Sequence, residues 1–517
     1  MKKRIVVLLM SVMLLLNLLP ENNVRAESGK RVLRVGMEAA YSPFNWTQQD
    51  ASNDAVPIED SNTYANGYDV QIARKIADKL GMDLVIVKTE WDGLLPAVLS
   101  GKIDVIIAGM SPTDERRQTL DFTKNYYESN LVLVVNANGN YKDAKSLSDF
   151  KNAKVVAQLN TFHDTVIDQI PNVDHQVAMA DFSAMRVAVQ SGKVDAYVAE
   201  KPEGVSAERA NKAFKMIELK DGFTTNPDDT SIAIGLKKGS ELLNPINDIL
   251  STISKDEQNA IMDKMIAIDL GISENESIWD IAVKNKDMFI SGTISTIVIS
   301  LVGTLIGLLI GMIIGIIRTI PNVENKVLNI IIITSKFITN IYVQVIRGTP
   351  MIVQSMLFYY GLQLFYGISF KPLTSAFIIV SVNTGAYMAE VVRAGINSID
   401  KGQVEASKAL GMNHYQTMVN VILPQVFRNI IPNIGNEFIV NIKDTSVLNV
   451  ISVQELFFTT KSIAGANFKF FETYFITSII YLVLTLSISA LLRLLEKKLE
   501  GSSSYKKVEG DMLASGN

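Results

Sequence analysis

The 517-residue chain contains no cysteine. Disulfides, thiolate zinc sites, cysteine nucleophiles and iron–sulfur clusters are excluded with it. Only three histidines occur, His163, His175 and His414, which leaves little from which to build a histidine metal site. No metal and no cofactor are expected. The 49 basic residues are balanced by 53 acidic ones, for a net charge of −4. There is no strongly basic block, which argues against nucleic acid as a partner. Also missing is the phosphate-cradling Gly-x-x-x-x-Gly-Lys-Ser/Thr. The Gly-Lys pairs at Gly29, Gly101 and Gly192 are not followed by Ser or Thr, so the sequence offers no P-loop for ATP. What the chain does have is apolar surface. Hydrophobic residues reach 48% and charged residues only 20%, too apolar for a wholly soluble protein and too charged for a wholly membrane-embedded one. Soluble and membrane parts in series resolve the conflict.

The N-terminus carries Lys2, Lys3 and Arg4, then an apolar stretch from Ile5 to Leu19, then Val24-Arg25-Ala26. This is the pattern of a signal peptide over residues 1–26, with cleavage after Ala26. The stretch is short for a permanent span, which needs about 20 apolar residues. With no cysteine at the cleavage point, a lipid anchor is excluded.

Residues 27–271 read as a soluble α/β domain. Val32 to Gly36 is a strand signal, and Val70, Ile72, Ala73, Ile76, Ala77 and Leu80 recur at helical spacing up to Gly81. Leu84 to Val87 predicts a strand, Leu94 to Leu99 a helix and Ile103 to Ala108 a buried strand. Such alternation implies α/β layers with mainly parallel sheet. One internal echo suggests two similar lobes: Val98-Leu99-Ser100-Gly101-Lys102-Ile103-Asp104 returns as Val189-Gln190-Ser191-Gly192-Lys193-Val194-Asp195. The expected division is lobe 1 over about 32–131 and 225–271, and lobe 2 over about 132–224. In open α/β sheets ligands gather at the carboxyl ends of strands. Those ends are Ala108-Gly109-Met110-Ser111 in one lobe and Val198-Ala199-Glu200 in the other, facing a cleft that closes by hinge motion.

Four runs carry a specific resemblance. They are Leu33 to Phe44 (LRVGMEAAYSPF), Gly67-Tyr68-Asp69-Val70, Trp91 to Ala97 (WDGLLPA) and Ala108 to Arg117 (AGMSPTDERR), with Asp121-Phe122-Thr123 and Tyr126-Tyr127-Glu128 behind them. In this order they resemble the polar amino-acid substrate-binding proteins of ABC importers, over nearly all of 32–271. The resemblance implies that Arg116 clamps a ligand α-carboxylate through a bidentate fork, helped by Ser111 and by Thr161 from lobe 2. It implies that Gly109 and Glu200 meet the α-ammonium, that Tyr41 and Trp91 sandwich the side chain, and that Glu38 meets its polar end. Gln158 and Phe162 flank Thr161 in the same run. Taken alone, an arginine in Asp114–Arg117 is ordinarily a solvated charge; the ordered motifs assign it to a site. Asn160 stands where the family usually has glycine, which puts the backbone of that loop in question. A carboxylate at Glu38 disfavours acidic ligands, leaving arginine, lysine, histidine and glutamine open.

After a short linker, 272–284, residues 285–500 read as membrane. The uncharged runs are Phe289 to Ile317, Gly348 to Phe370, Pro372 to Ala389, a weaker one around Asn429 to Val453, and Thr473 to Leu492. Val327 to Ile346 is also apolar but contains Lys336, and reads either as an amphipathic helix or as the start of the second span. Gly303, Gly307, Gly311 and Gly315 recur every fourth residue along the first run, which allows close helix packing. Five spans, with the soluble domain outside, place Arg493, Lys497, Lys498, Lys506 and Lys507 and a tail at 501–517 in the cytoplasm, as the positive-inside rule requires. The predicted fold class is therefore multidomain: a bilobed α/β domain of the periplasmic-binding-protein kind, then an all-α membrane domain of five transmembrane helices.

Glu405-Ala406-Ser407, Gly411 and Leu423-Pro424 resemble the EAA loop of ABC importer permeases. Arg347-Gly348-Thr349-Pro350, Gly385 to Gly395 and Ile442 to Ser446 are similar to the polar amino-acid branch. The resemblance implies a helix–turn–helix knob docking on a cytoplasmic ATPase, with Glu405, Ala406, Gly411, Leu423 and Pro424 in the coupling role. It also implies a homodimer of this chain with two ATPase subunits, a free amino acid as cargo, and a multi-pass location in the cell membrane with the binding domain extracellular. ATP hydrolysis would belong to the separate subunit, so the chain is read as a transporter component and not an enzyme. Rival readings are a ligand-gated channel, an amino-acid sensor or an exported enzyme on the same lobes. In the channels, membrane segments interrupt the lobes, whereas here all the runs follow them.

Overall fold

The computed structural model describes residues 31–268 and 277–499. The signal peptide expected at 1–26, most of the polar start of the linker and the tail at 501–517 lie outside the described residues, as do the side chains of Lys497 and Lys498. The chain forms two compact units. One takes the residues up to Thr296 with Ile352–Ala376 and Ser446–Ser478; the other takes Ile297–Met351, Phe377–Thr445 and the residues from Ile479 on.

The first unit contains two five-stranded sheets of matching topology. The order in the first is Asp83–Lys88, Val32–Met37, Val105–Ile106, Ser231–Lys237, Leu120–Glu128. In the second it is Asp174–His175, Lys154–Val156, Ala196–Glu200, Leu131–Asn136, Phe214–Ile217. In each, three parallel strands are followed by antiparallel ones. The chain crosses between the sheets after Glu128 and returns between Ile217 and Ser231. The internal echo has a conformational basis. Helices Trp91–Ser100 and Phe182–Gln190 are followed by Gly101 (φ 76°) and Gly192 (φ 70°), left-handed positions that stop a helix without a Cβ clash, and each leads into a buried strand. The core of the second lobe gathers Leu133, Val135, Phe150, Val155, Ile167 and Val198, all essentially inaccessible to solvent.

The helical region departs from the expected spans in one place. Among the described residues, four helices are long and apolar enough to cross a membrane: Lys286–Thr319, Lys326–Gly348, Pro372–Asn397 and Phe470–Leu494. The second of these is not the uncharged run Gly348 to Phe370. Thr349 and Pro350 interrupt the helix there, and residues 351–366 form short helical pieces ended by Gly367 in a left-handed conformation. The continuous helix lies upstream and tolerates Lys336. A fifth helix, Leu423–Asp444, has 22 residues but carries charges. At about 1.5 Å per residue it is also long enough to span. The linker is not wholly irregular either: Ser277 and Asp280 form a capping box that starts helix Ile278–Lys284.

The glycine stripe packs as its spacing implies. A Cβ at Gly307 would stand 2.6 Å from Cβ of Thr384, and one at Gly315 2.7 Å from Cγ1 of Val392; Val380 and Met388 crowd Gly303 and Gly311 likewise. The polar residue at the heart of this unit is Asn441. Its Nδ2 donates to Thr304 Oγ1 and Thr384 Oγ1, both at 2.9 Å, tying three helices together. Lys443 and Asp444 are exposed and Glu437 is half-buried.

Candidate functional site

All ten residues expected to meet the ligand line one cavity between the lobes: Glu38, Tyr41, Trp91, Gly109, Ser111 and Arg116 from lobe 1, and Gln158, Thr161, Phe162 and Glu200 from lobe 2. The lobes close on it so far that its volume is about 20 Å³, room for about one water molecule. Admission of an amino acid therefore requires lobe opening.

Arg116 sits on the short helix Asp114–Arg117, capped by Thr113. Its Nη1 donates to the carbonyl of Ser111 at 2.9 Å and its Nη2 to the carbonyl of Asn160 across the cleft at 2.8 Å. The guanidinium lies over the Trp91 ring at 5.1 Å. Burial pushes its pKa down to about 10, so it keeps its charge at neutral pH. Asn160 adopts φ 59°, the left-handed conformation a glycine would take, and asparagine tolerates it better than other non-glycine residues. The substitution thus preserves the turn. It also adds a cross-cleft bond, from Asn160 Nδ2 to Asp92 Oδ1 at 3.0 Å.

Gly109 has φ 63°, and a Cβ there would stand 2.9 Å from Tyr41 Cε1, so the position admits little else. Behind it Tyr126 accepts from the Gly109 amide at 3.3 Å and donates to Asp69 at 2.6 Å, and Asn45 holds the other Asp69 oxygen at 2.7 Å. The Gly67-Tyr68-Asp69 motif thus braces the loop from beneath the cavity.

Glu200 ends strand Ala196–Glu200. Tyr41 donates its hydroxyl to Oε2, and His163 Nε2 lies 3.1 Å from Oε1. Burial works against ionisation there, but His163 and Tyr41 outweigh it and hold the carboxyl below its usual range. Glu38 behaves oppositely. Burial first, then the Glu90 and Asp181 carboxylates, push it up to about 8.

The aromatic sandwich differs from expectation. Phe44 stacks on Tyr41 at 5.0 Å and Phe182 at 4.5 Å. With both faces covered in the closed lobes, Tyr41 presents its hydroxyl edge, not a face. Phe182 and His163 are the lining residues the sequence analysis missed. A signal for Phe182 was available. The echo between the lobes, carried back to the helix starts, pairs Trp91 with Phe182 and Glu90 with Asp181 at the same offset.

In the second unit, helix Lys401–Ala409 ends before Gly411 (φ 77°), and a second helical stretch begins at His414. Glu405, Ala406 and Pro424 are exposed and Leu423 is half-buried. Leu410 and Tyr415, not singled out from sequence, are 79% and 73% exposed.

Comparison with known proteins agrees with this architecture. The profile of bacterial extracellular solute-binding proteins, family 3, matches residues 33–267, and that of the binding-protein-dependent transport system inner membrane component matches 333–501. The glutamine transport system permease protein GlnP of Escherichia coli strain K12 is 40% identical over 161 residues, 31% of this chain and 74% of that protein. The chain belongs to the amino-acid ABC importers, with binding protein and permease fused in one polypeptide. The arginine transport system permease protein ArtQ of Bacillus subtilis strain 168 is 36% identical over 166 residues, 32% of this chain and 76% of that protein. Among solved structures, an ancestral arginine-binding protein bound to arginine is 32% identical and covers 45% of this chain and 97% of its own, with a TM-score of 0.37. This importer chain is a membrane transporter component carrying its own receptor.

Proposed function

We propose that the chain takes up a polar or cationic amino acid (glutamine, arginine, lysine or histidine) using ATP hydrolysed by a separate ABC ATPase. The observation that carries this reading is the placement of Arg116 and Ser111 opposite Glu200 and Thr161 around one cavity. A fixed cation on one side and a fixed anion on the other suit the two charged ends of a free amino acid. Two relatives are named for glutamine and arginine transport, which supports the same substrate range. Ligand binding closes the lobes. The knob at 401–424 passes ATPase closure to the helices, with Glu405 and Ala406 on its exposed side and Gly411 at its turn. Two copies of the chain with two ATPase subunits complete the transporter. The chain is exported behind a cleaved 1–26 segment, with the receptor outside and the C-terminus in the cytoplasm.

The test is titration of the full-length protein in nanodiscs with each of the twenty amino acids, followed by uptake in proteoliposomes with an ABC ATPase subunit. Saturable binding of one of the four named amino acids and ATP-dependent accumulation are expected. Ion current without ATP would instead identify a channel.

A further inference from the structure

Helix Leu456–Asn467 follows helix Leu423–Asp444 in the permease sequence and belongs to the same compact unit as the two lobes. One face of it lies against the receptor. A Cβ at Gly465 would stand 2.9 Å from Cβ of Ala40. Ser462 accepts a hydrogen bond from Lys88, and Lys88 lies over the Phe458 ring at 4.8 Å. Beside these, the Lys461 ammonium pairs with Glu90 of lobe 1 and, at 2.9 Å, with Asp181 of lobe 2. All three side chains are largely buried, with 14–19% exposure.

Glu90 and Asp181 are repeat-related. Each is the N-cap residue of the corresponding helix, Trp91–Ser100 or Phe182–Gln190. Asp181 uses Oδ1 to accept from Ala184 N at 2.9 Å and leaves Oδ2 for Lys461. The bridge adjoins the ligand cavity, because Glu38, Tyr41 and Phe182 line both that cavity and the space around Lys461. Without Lys461, closing the lobes would bring the Glu90 and Asp181 carboxylates together beside Glu38, with Lys88 and the Glu203-paired Arg186 left to offset them. Like charges at short range in a poorly solvated site oppose closure. With Lys461 present, closure satisfies both carboxylates at once, and an open cleft can satisfy only one of them.

We propose that Lys461 is a positioning residue of the receptor: supplied by the permease sequence, it clamps the two lobes through Glu90 and Asp181 and so sets how much of the receptor is closed, and how tightly it holds its amino acid. The proposal extends the amino-acid reading of the cleft.

Because the chain has no cysteine, Asp78→Cys in lobe 1 and Lys151→Cys in lobe 2, both exposed, accept a dye pair for distance measurement in the full-length protein in nanodiscs. With no amino acid added, Lys461→Ala and the equally long but uncharged Lys461→Met should shift the inter-lobe distance distribution to longer values, and Lys461→Arg should not. In a Glu90→Gln/Asp181→Asn background, Lys461→Ala should add no further shift. Where the parent protein binds L-arginine or L-glutamine, affinity should fall on the order of tenfold in Lys461→Ala, in proportion to the closed population. An unchanged distribution in Lys461→Ala and Lys461→Met, or an equal shift in the neutralised background, overturns the proposal. The distance measurement needs no ligand, so a protein that closes through Lys461 yet binds neither amino acid refutes the functional reading and leaves the clamp standing.

Discussion

Arg116 Nη2 donates a 2.8 Å hydrogen bond to the carbonyl of Asn160, a residue of the opposite lobe. The same guanidinium holds the carbonyl of Ser111 through Nη1, so two of its five N–H donors are spent on backbone and the rest remain for a carboxylate. Removing it takes away both the proposed anion site and a cross-cleft tie. Arg116→Ala should lower amino-acid affinity by a factor of about 100 or more. Arg116→Lys should recover little, because an ammonium cannot reproduce the fork. Calorimetric titration of the full chain checks this, and wild-type affinity in Arg116→Ala would remove the residue from the site.

Glu38 gives the site a pH dependence whose sign depends on the ligand. Burial, then Glu90 and Asp181, push its carboxyl up to about 8, with Lys461 opposing them. The neighbouring Lys88 is pushed down to about 7 by burial. As pH rises through this range Glu38 gains negative charge and Lys88 loses positive charge, and both changes favour a cationic side chain. Affinity for L-arginine should therefore rise several-fold from about pH 6.5 to about pH 8.5, while affinity for the neutral side chain of L-glutamine stays nearly level. Glu38→Gln should flatten most of the arginine profile. Titrations at matched ionic strength decide it; a level arginine profile in the parent protein would place the side chain away from Glu38.

Much of this site is legible in the sequence because its residues sit at strand ends and helix starts, which short motifs mark. Gly109, Ser111 and Arg116 fall within one run, and Thr161 and Glu200 follow the matching features of the second lobe. Phe182 escaped because it lies in no such motif, and its place shows only when the echo is carried back to the helix start. His163 escaped because nothing in its neighbours announces that it will face Glu200. The second long helix stays open in the sequence between two readings of Val327 to Ile346, because Lys336 speaks against a span there while helix continuity favours one: the helix tolerates Lys336 within Lys326–Gly348 and ends before Thr349 and Pro350. Asn441 carries no mark in the sequence, since hydrogen bonding to Thr304 and Thr384 is a tertiary fact.

The knob offers a separation of binding from coupling. Glu405 is exposed on helix Lys401–Ala409, and Leu410 and Tyr415 flank the Gly411 turn with 79% and 73% exposure. Glu405→Lys reverses a charge and Leu410→Asp removes an apolar contact without disturbing a core. Both should leave amino-acid affinity unchanged and lower amino-acid-stimulated ATP hydrolysis by about tenfold or more, as loss of a central interface residue does. The check is ATPase activity in proteoliposomes containing the partner subunit. Normal stimulation in both variants would remove the coupling role from this loop.

The glycine stripe makes a prediction about the helical unit alone. At Gly307 an added Cβ would stand 2.6 Å from Cβ of Thr384 and 3.1 Å from the amide of Gly385, so neither a side chain nor the backbone can give way cheaply. Thr384 also receives one of the two hydrogen bonds from Asn441. Pushing the helices apart at Gly307 would therefore strain the three-helix polar tie as well as the packing. Gly307→Ile should destabilise the detergent-solubilised protein by about 1–3 kcal/mol, the usual range for overpacking. Gly348→Ala, where an added Cβ meets nothing within 4 Å, should leave stability nearly unchanged. Thermal unfolding followed by size-exclusion recovery distinguishes them, and equal stability of the two variants would show that the close approach along the stripe does not hold these helices together.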